Sequence, residues 1–298
     1  MGLQLRMRGR KVRARVGTMV MVSAGLLLLG ACSSEDRAQI RRLAMPKPIT
    51  DRGPFTYNLW HGAWLAAILV GVLVWGLIIY AAIKFRRRSD DEIPVQTRYN
   101  LPIEILYTVA PVIMVVVFFF FTVQTQDKVL AKPAGGHAQH RIMVVGQQWS
   151  WSFSYLGEKA VNGKNVYTAG TPAEMPTLVL PVNQSVTVEL RSPDVIHSFW
   201  VPAFLMKMDV IPGRHNSFSF TPTQVGKYDG KCAELCGTYH SRMLFNVEVV
   251  SPAEYDRHLR SLRAQGNVGV LTGAREAEQQ AGLQQQQQTH PPQQGGQE

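Results

Sequence analysis

WLAAILVGVLVWGLIIYAAI, Trp64 to Ile83, is a run of 20 residues without a charge. Roughly 20 apolar residues are what an α-helix needs to cross the hydrocarbon core of a bilayer. A second run of this kind, ILYTVAPVIMVVVFFFFTV, covers Ile105 to Val123. Its internal Pro111 is tolerable in a membrane helix, where neighbouring groups satisfy the freed carbonyl. The expectation is a helical hairpin with transmembrane helices over residues 60–84 and 103–125. Between them lies KFRRRSDDE, whose Lys84, Arg86, Arg87 and Arg88 mark the loop 85–102 as cytoplasmic. Trp60, Trp64 and Tyr80 are placed as interfacial anchors. Everything before the first helix and after the second then lies outside.

Upstream, the basic stretch RMRGRKVRAR runs into VGTMVMVSAGLLLLGAC. A positive region, an apolar stretch too short for a span and small residues at its end form a secretory signal layout. LLGAC resembles a bacterial lipoprotein box, which makes residues 1–31 a signal peptide and Cys32 the lipidated first residue of the mature chain. The outer segment 32–59 carries Arg37, Arg41, Arg42, Lys47 and Arg52, against the usual bias; a translocated signal peptide overrides it. The formal charge of +10 comes largely from the N-terminus and the cytoplasmic loop. From about residue 131 to 260 the two signs nearly balance, and no basic stripe interleaved with aromatics is present, so nucleic acid is excluded as a partner.

Downstream the texture changes. RIMVVGQQWSWSFSY, TLVLPVNQSVTVELRS, HSFWVPAF, NSFSFTP, GKYDGKC and LFNVEVVS suit short strands, separated by Pro, Gly, Asn and Asp. Alternate residues of SVTVEL and FNVEVV are apolar, as one buried sheet face requires. Six or more short strands in little more than a hundred residues point to an all-β Greek-key sandwich or barrel over residues 138–255. GEKAVNGKNVYTAGTP, lacking any period, is expected to be an exposed loop. Residues 262–298 form a Gln-rich tail that cannot bury a core and is expected to be disordered.

Within this outer region stands CAELCGTYHSRM, Cys232 to Met243. Outside the cytoplasm its two cysteines could form a disulfide, although one closing so small a loop gains little. Two Cys and two His could also hold structural zinc. Copper explains more of the residues: thiolates suit soft copper, imidazole suits either oxidation state, and a thioether is a weak axial ligand. Two thiolates on one tight loop could bridge two coppers, and His197, 35 residues before Cys232, supplies a second imidazole. His240 and Met243 could instead merely pack.

The segments HSFWVPAFLMKMDVIPGR and GKYDGKCAELCGTYHSRM, with the interval between them, match one family pattern. On roughly residues 55–252 the chain resembles subunit II of haem-copper cytochrome c oxidases, of the bacterial lipoprotein type. The resemblance implies a cupredoxin-like outer domain. It implies that His197, Cys232, Cys236, His240 and Met243 are side-chain ligands of a dinuclear copper centre, CuA, with Glu234 lending its backbone carbonyl. It places the Glu234 carboxylate toward a magnesium or manganese ion at the boundary with subunit I, and Asp194 and Asp209 near the copper domain's interface. Trp149 would receive electrons from cytochrome c, soluble or tethered; Gln147 and Ser150 depart from the more aromatic or polar residues common beside it. Glu104 would sit at the mouth of a proton-uptake path into subunit I. The implied assembly contains subunits I and III and membrane lipid in a bacterial plasma membrane, and the implied activity is oxygen reduction in subunit I with proton pumping. His61, His137, His140, His215, His258 and His290 carry no partner pattern and read as interfacial, loop or tail residues.

Three rivals are weaker. A quinol-oxidase subunit II shares the topology but lacks copper ligands. Nitrous oxide reduction requires a further large domain. A tethered copper-delivery protein would expose Met- or His-rich clusters, whereas these ligands occupy two spaced segments.

Overall fold

A computed structural model describes residues 33–89 and 92–273. The signal peptide, Cys32, His290 and the tail beyond residue 273 lie outside the described residues. The chain divides into two units, Met1–Pro46 and Lys47–Glu298. In the first, α1 (Ser34–Arg41) begins on a capping box: the Ser33 hydroxyl accepts from the Asp36 N–H while the Asp36 carboxylate accepts from the Ser33 N–H.

The second unit opens with α2 (Gly53–Lys84) and α3 (Leu101–Val129), which reach mean hydropathies of 2.6 and 2.5 and are long and apolar enough to cross a membrane. Both extend beyond the sequence-based bounds. Polar terminal turns, with Tyr57 and Asn58 in α2 and Gln124 to Lys128 in α3, keep their helical bonds although hydropathy has already fallen. Pro111 lies inside α3 without ending it. The start of α3 is capped reciprocally: Asn100 Oδ1 accepts from the Ile103 N–H at 3.4 Å, and the Glu104 carboxylate accepts from the Asn100 N–H at 2.9 Å. Arg52, just before α2, donates to the carbonyls of Lys128 (2.8 Å) and Ala131 (3.3 Å) at the far end of α3. A cation there complements the helix C-terminus and joins the two ends of the hairpin.

Ten strands follow: β1 (His140–Gln147), β2 (Ser150–Glu158), β3 (Lys164–Ala169), β4 (Thr177–Pro181), β5 (Val186–Arg191), β6 (His197–Val201), β7 (Met206–Val210), β8 (Asn216–Phe220), β9 (Gly226–Cys232) and β10 (Leu244–Val250). They form two five-stranded sheets, ordered β3-β2-β1-β5-β8 and β4-β10-β9-β6-β7. The alternation expected of β5 and β10 is present, with Val186, Val188 and Leu190, and Phe245, Val247 and Val249, buried. Trp151, Phe153, Phe199 and Phe245 meet between the sheets, Phe199 stacked on Phe245 at 4.9 Å.

Three expectations need correction. The aperiodic run expected as an exposed loop contains β3, an edge strand on β2, with Val161 and Val166 fully buried. Its few apolar residues stand among Gly, Asn and Lys, so no period is visible. The domain does not end at residue 255. A helix, α4 (Pro252–Ala264), starts on a Ser251–Glu254 capping box and buries Tyr255, Leu259 and Leu262. Residues 265–273, expected to be tail, are also structured, and Leu271 is buried. Finally, His140 and His258 belong to elements rather than loops. His140 begins β1, where Nδ1 meets the Glu158 carboxylate at 3.0 Å and Nε2 meets Gln184 Oε1 at 2.9 Å. The Tyr255 hydroxyl donates to the same carboxylate at 3.0 Å, which fastens α4 to the sandwich. Burial opposes a charge on His140, but its bonds to Glu158 and Gln184 outweigh that and raise its pKa.

Leu259, on the inward face of α4, is fully buried. Leu259→Ala should therefore destabilise the chain by about 2–5 kcal/mol, the usual range for emptying a buried leucine site. Denaturant unfolding of the full chain, followed by tryptophan fluorescence, would show it; a loss well under 1 kcal/mol would mean that α4 is not part of the core.

Candidate metal centre

The candidate ligands come from the start of β6, the end of β9 and the segment joining β9 to β10, at one end of the second sheet. β6 pairs with β9 so that Phe199 lies opposite Cys232, which puts His197, the first residue of β6, close to the last residue of β9. The loop after β9 turns back into β10, and the backbone closes it: Cys232 N–H donates to Met243 O, Met243 N–H to His240 O, and His240 N–H to Gly237 O. Ala233 N–H donates to Ser198 O, tying the loop to β6. Gly237 has φ +120°, and a Cβ there would lie 3.1 Å from Gln148 Nε2 and 3.2 Å from the Trp149 ring. The tight turn between the two groups of ligands therefore suits glycine.

These constraints bring six donors together. Cys232 Sγ and Cys236 Sγ are 3.8 Å apart, both as free thiols. His197 Nδ1 lies 3.9 Å from Cys232 Sγ, and the Glu234 carbonyl lies 3.2 Å from the same sulfur. On the other side His240 Nδ1 is 3.5 Å and Met243 Sδ 3.8 Å from Cys236 Sγ. His197, Cys232, Cys236 and Met243 are buried and His240 is half-buried. Among the described residues, His197, Cys232 and Cys236 also form a cluster with ligand atoms all within 4.8 Å of one another.

The donor set distinguishes the metals. Structural zinc is satisfied by four ligands in a tetrahedron, here two thiolates and two imidazoles. That leaves the thioether of Met243 and the carbonyl of Glu234 beside the sulfurs without a role. Two sulfurs in the middle, each flanked by one imidazole and one weak neutral donor, fit two soft ions sharing the thiolates.

Surrounding groups orient the ligands. Asp194 Oδ1 lies 2.9 Å from His197 Nε2, so the proton held on Nε2 leaves Nδ1 facing the sulfurs. The Asp194 carboxylate also accepts from the backbone N–H of Gln148 at 2.7 Å and of Val195 at 2.6 Å. Burial raises its pKa, but these hydrogen bonds outweigh burial and lower it. His197 is shifted the other way: burial disfavours its charge, and the hydrogen bonds with Asp194 and Cys232 more than compensate. For the thiols, burial pushes both up. His197 and nearby backbone groups reverse this at Cys232, whereas the Cys232 thiolate adds to it at Cys236.

Of the other sequence-based candidates, Trp149 joins the site. It is half-buried, its indole N–H donates to the Cys236 carbonyl at 3.3 Å, and Tyr239 packs edge-on against it at 4.9 Å. Asp209, exposed on β7 opposite Ser198, stays outside the cluster. Glu104 is far along the chain at the start of α3, where its carboxylate caps the helix. Sequence reasoning missed Gln148, which donates from Nε2 to the Cys236 carbonyl at 2.8 Å and from its backbone to Asp194. It also missed Trp151, whose indole N–H donates to the Met243 carbonyl at 3.3 Å. The only signal for either was adjacency to Trp149 in QQWSW.

Comparisons with known proteins converge on one family. Residues 140–250 match the family described as "Cytochrome C oxidase subunit II, periplasmic domain", and residues 56–124 match "Cytochrome C oxidase subunit II, transmembrane domain". A probable cytochrome c oxidase subunit 2 of Streptomyces avermitilis is 46% identical over 288 residues, covering 84% of this chain and 88% of that one. The cytochrome c oxidase subunit 2 of Corynebacterium diphtheriae is 33% identical over 313 residues, covering 85% of each. The crystal structure of the periplasmic domain of subunit II of cytochrome oxidase of Bradyrhizobium japonicum is similar at 31% identity and a TM-score of 0.38, covering 43% of this chain and 96% of that one.

The paired thiols make a testable contrast. In the metal-free chain, with Cys32→Ser removing the third thiol, ultraviolet thiolate absorption should rise in two separated steps as pH increases. The first step falls below the ordinary thiol range, because hydrogen bonds from His197 and nearby backbone groups outweigh burial at Cys232, and the second lies above it, because burial and the Cys232 thiolate both oppose ionisation of Cys236. A single step of double height at ordinary thiol pH would contradict the shared-charge pair.

Proposed function

Because this chain belongs to the cytochrome c oxidase subunit II family, we propose that it is the electron-input subunit of a proton-translocating cytochrome c oxidase in a bacterial plasma membrane. Cytochrome c, soluble or tethered, docks beside Trp149 and gives up single electrons. These pass onward to subunit I, where oxygen is reduced to water; subunit III completes the core assembly. The observation that carries this reading is the pair of sulfurs 3.8 Å apart with an imidazole, and a carbonyl or thioether, on either side. Two coppers held by His197, Cys232, Glu234 O, Cys236, His240 and Met243 would supply a one-electron couple shared between both metals.

The protein's own groups support this role. The buried ligands exclude water, and Asp194 keeps the His197 proton on Nε2. Trp149 spans from the surface to the Cys236 peptide, a short route inward for an electron. The apolar faces of α2 and α3 anchor the chain in lipid and offer surface to subunit I. Glu104 stands at an exposed helix start, suited to taking up protons for a path into subunit I. The Glu234 carboxylate is exposed and would be the protein's ligand to a magnesium or manganese ion at the boundary with subunit I. Lipidation at Cys32 belongs to the same reading.

Copper-loaded full-length chain should give a dinuclear mixed-valence electron paramagnetic resonance signal, lost in Cys232→Ser; an unaltered signal in that variant would reassign the bridging ligands. Trp149→Ala should slow reduction by cytochrome c while the copper spectrum stays intact. Unchanged donor kinetics would remove Trp149 from the electron route.

A further inference from the structure

The segment after α4 does not leave the domain. Gln265 and Gly266 end the helix, and the chain then crosses β3 and β2. The Asn267 carbonyl accepts from the Tyr167 N–H at 3.2 Å, Val268 bridges Val166, and the Gly269 N–H donates to the Asn165 carbonyl at 3.0 Å. Two residues on, Leu271 is 3% exposed and its N–H donates to the buried hydroxyl of Ser154 at 3.0 Å. Ser154, on β2, is small enough to leave room for this strap.

Gly273 lies against Pro193: a Cβ added there would be 2.6 Å from Pro193 Cγ and 2.9 Å from its Cβ, and the backbone has φ +106°. Pro193 immediately precedes Asp194, the residue that holds the Nε2 proton of His197. A continuous packed path therefore runs from α4 through Leu271 and Gly273 to the loop that orients a ligand.

We propose that residues 267–273 brace the Pro193–Asp194 loop, and that Leu271 and Gly273 are positioning residues for His197. The inference rests on the copper reading above and adds to it a control on ligand geometry from outside the ligand loops. Loss of a group that orients a metal ligand weakens affinity by about 10–100-fold. A brace acting one step further out belongs at the low end of that range.

The test uses full-length chain and three variants: a stop after Gly266, a stop after Gly273, and Gly273→Val. Two readouts are taken, copper affinity by chelator competition and the hyperfine pattern of the dinuclear signal. Val186→Ala, a buried site at the opposite end of β5, controls for general loosening. The stop after Gly273 should match the full chain. The stop after Gly266 and Gly273→Val should each weaken copper binding about tenfold and alter the hyperfine pattern, whereas Val186→Ala moves neither. If the shorter chain does not accumulate, Gly273→Val decides, since it keeps Leu271 and α4. The brace is overturned if Gly273→Val leaves both readouts unchanged, if Val186→Ala shifts them equally, or if the stop after Gly273 already causes the loss. A full-length chain that binds copper only as isolated ions overturns the copper reading, and the brace with it.

Discussion

Two cysteine sulfurs held 3.8 Å apart in a buried site dominate the β-sandwich domain. Two thiolates so close repel each other, and in a low-dielectric interior that repulsion is severe. In the metal-free site one sulfur therefore ionises before the other: His197 favours the Cys232 thiolate, and burial together with that thiolate pushes the Cys236 thiol up; the topology sets the remaining donors around both. Pairing of β6 with β9 brings His197 to Cys232, while the return into β10 brings His240 and Met243 to Cys236. Neither strand pair could shift register without dispersing the donors, because a one-residue slip would turn His197 to the other face.

The same sandwich is fixed to the membrane hairpin by chain connections and hydrogen bonds. Ile49, 1% exposed, exchanges backbone bonds with Ala203 and Thr223, and Thr50 bridges Pro222. Asp51 closes the junction from both backbone and side chain onto Thr221. Two residues later α2 begins, and Arg52 between them reaches the end of α3. The domain is thus held at both membrane connections. In the proposed role of an electron carrier facing a membrane partner, fixed orientation would matter as much as the site itself, since the rate depends on a short and reproducible path.

Much of this was legible in the sequence because the strongest signals are local. Uncharged runs of membrane length, alternation in SVTVEL and FNVEVV, and the ligand spacing of CAELCGTYHSRM each report on their own segment. What escaped depends on contacts distant in sequence. In α4 the buried Tyr255, Leu259 and Leu262 are three residues in a charged stretch, YDRHLRSL, which reads as a solvated face until the sandwich beside it is known. β3 has too few apolar residues to show a period, and it is a strand because β2 offers it an edge. His140 seemed isolated because its partner Glu158 is 18 residues away, and Tyr255 is farther still. Ser152 and Ser154, between the aromatics of WSWSFSY, are only 4% and 1% exposed, because both faces of β2 are covered.

Rigidity gives these features a common purpose. In the proposed role, electron transfer would be fastest if the ligands need not move as the charge changes, and a donor cage built in advance meets that requirement. Here the loop backbone is hydrogen-bonded at Cys232, Ala233, His240 and Met243. The carbonyls of Cys236 and Met243 are each held by an indole, with Gln148 as a second donor to the first. Trp151 packs edge-on against the fully buried His197 at 6.2 Å and is itself packed against Phe199 and Phe245. Side chains of this size occupy well-defined rotamers in a close-packed interior, so displacement of one ligand would disturb several rings at once. The aromatic core that makes the sandwich stable is therefore also what holds the metal ligands still.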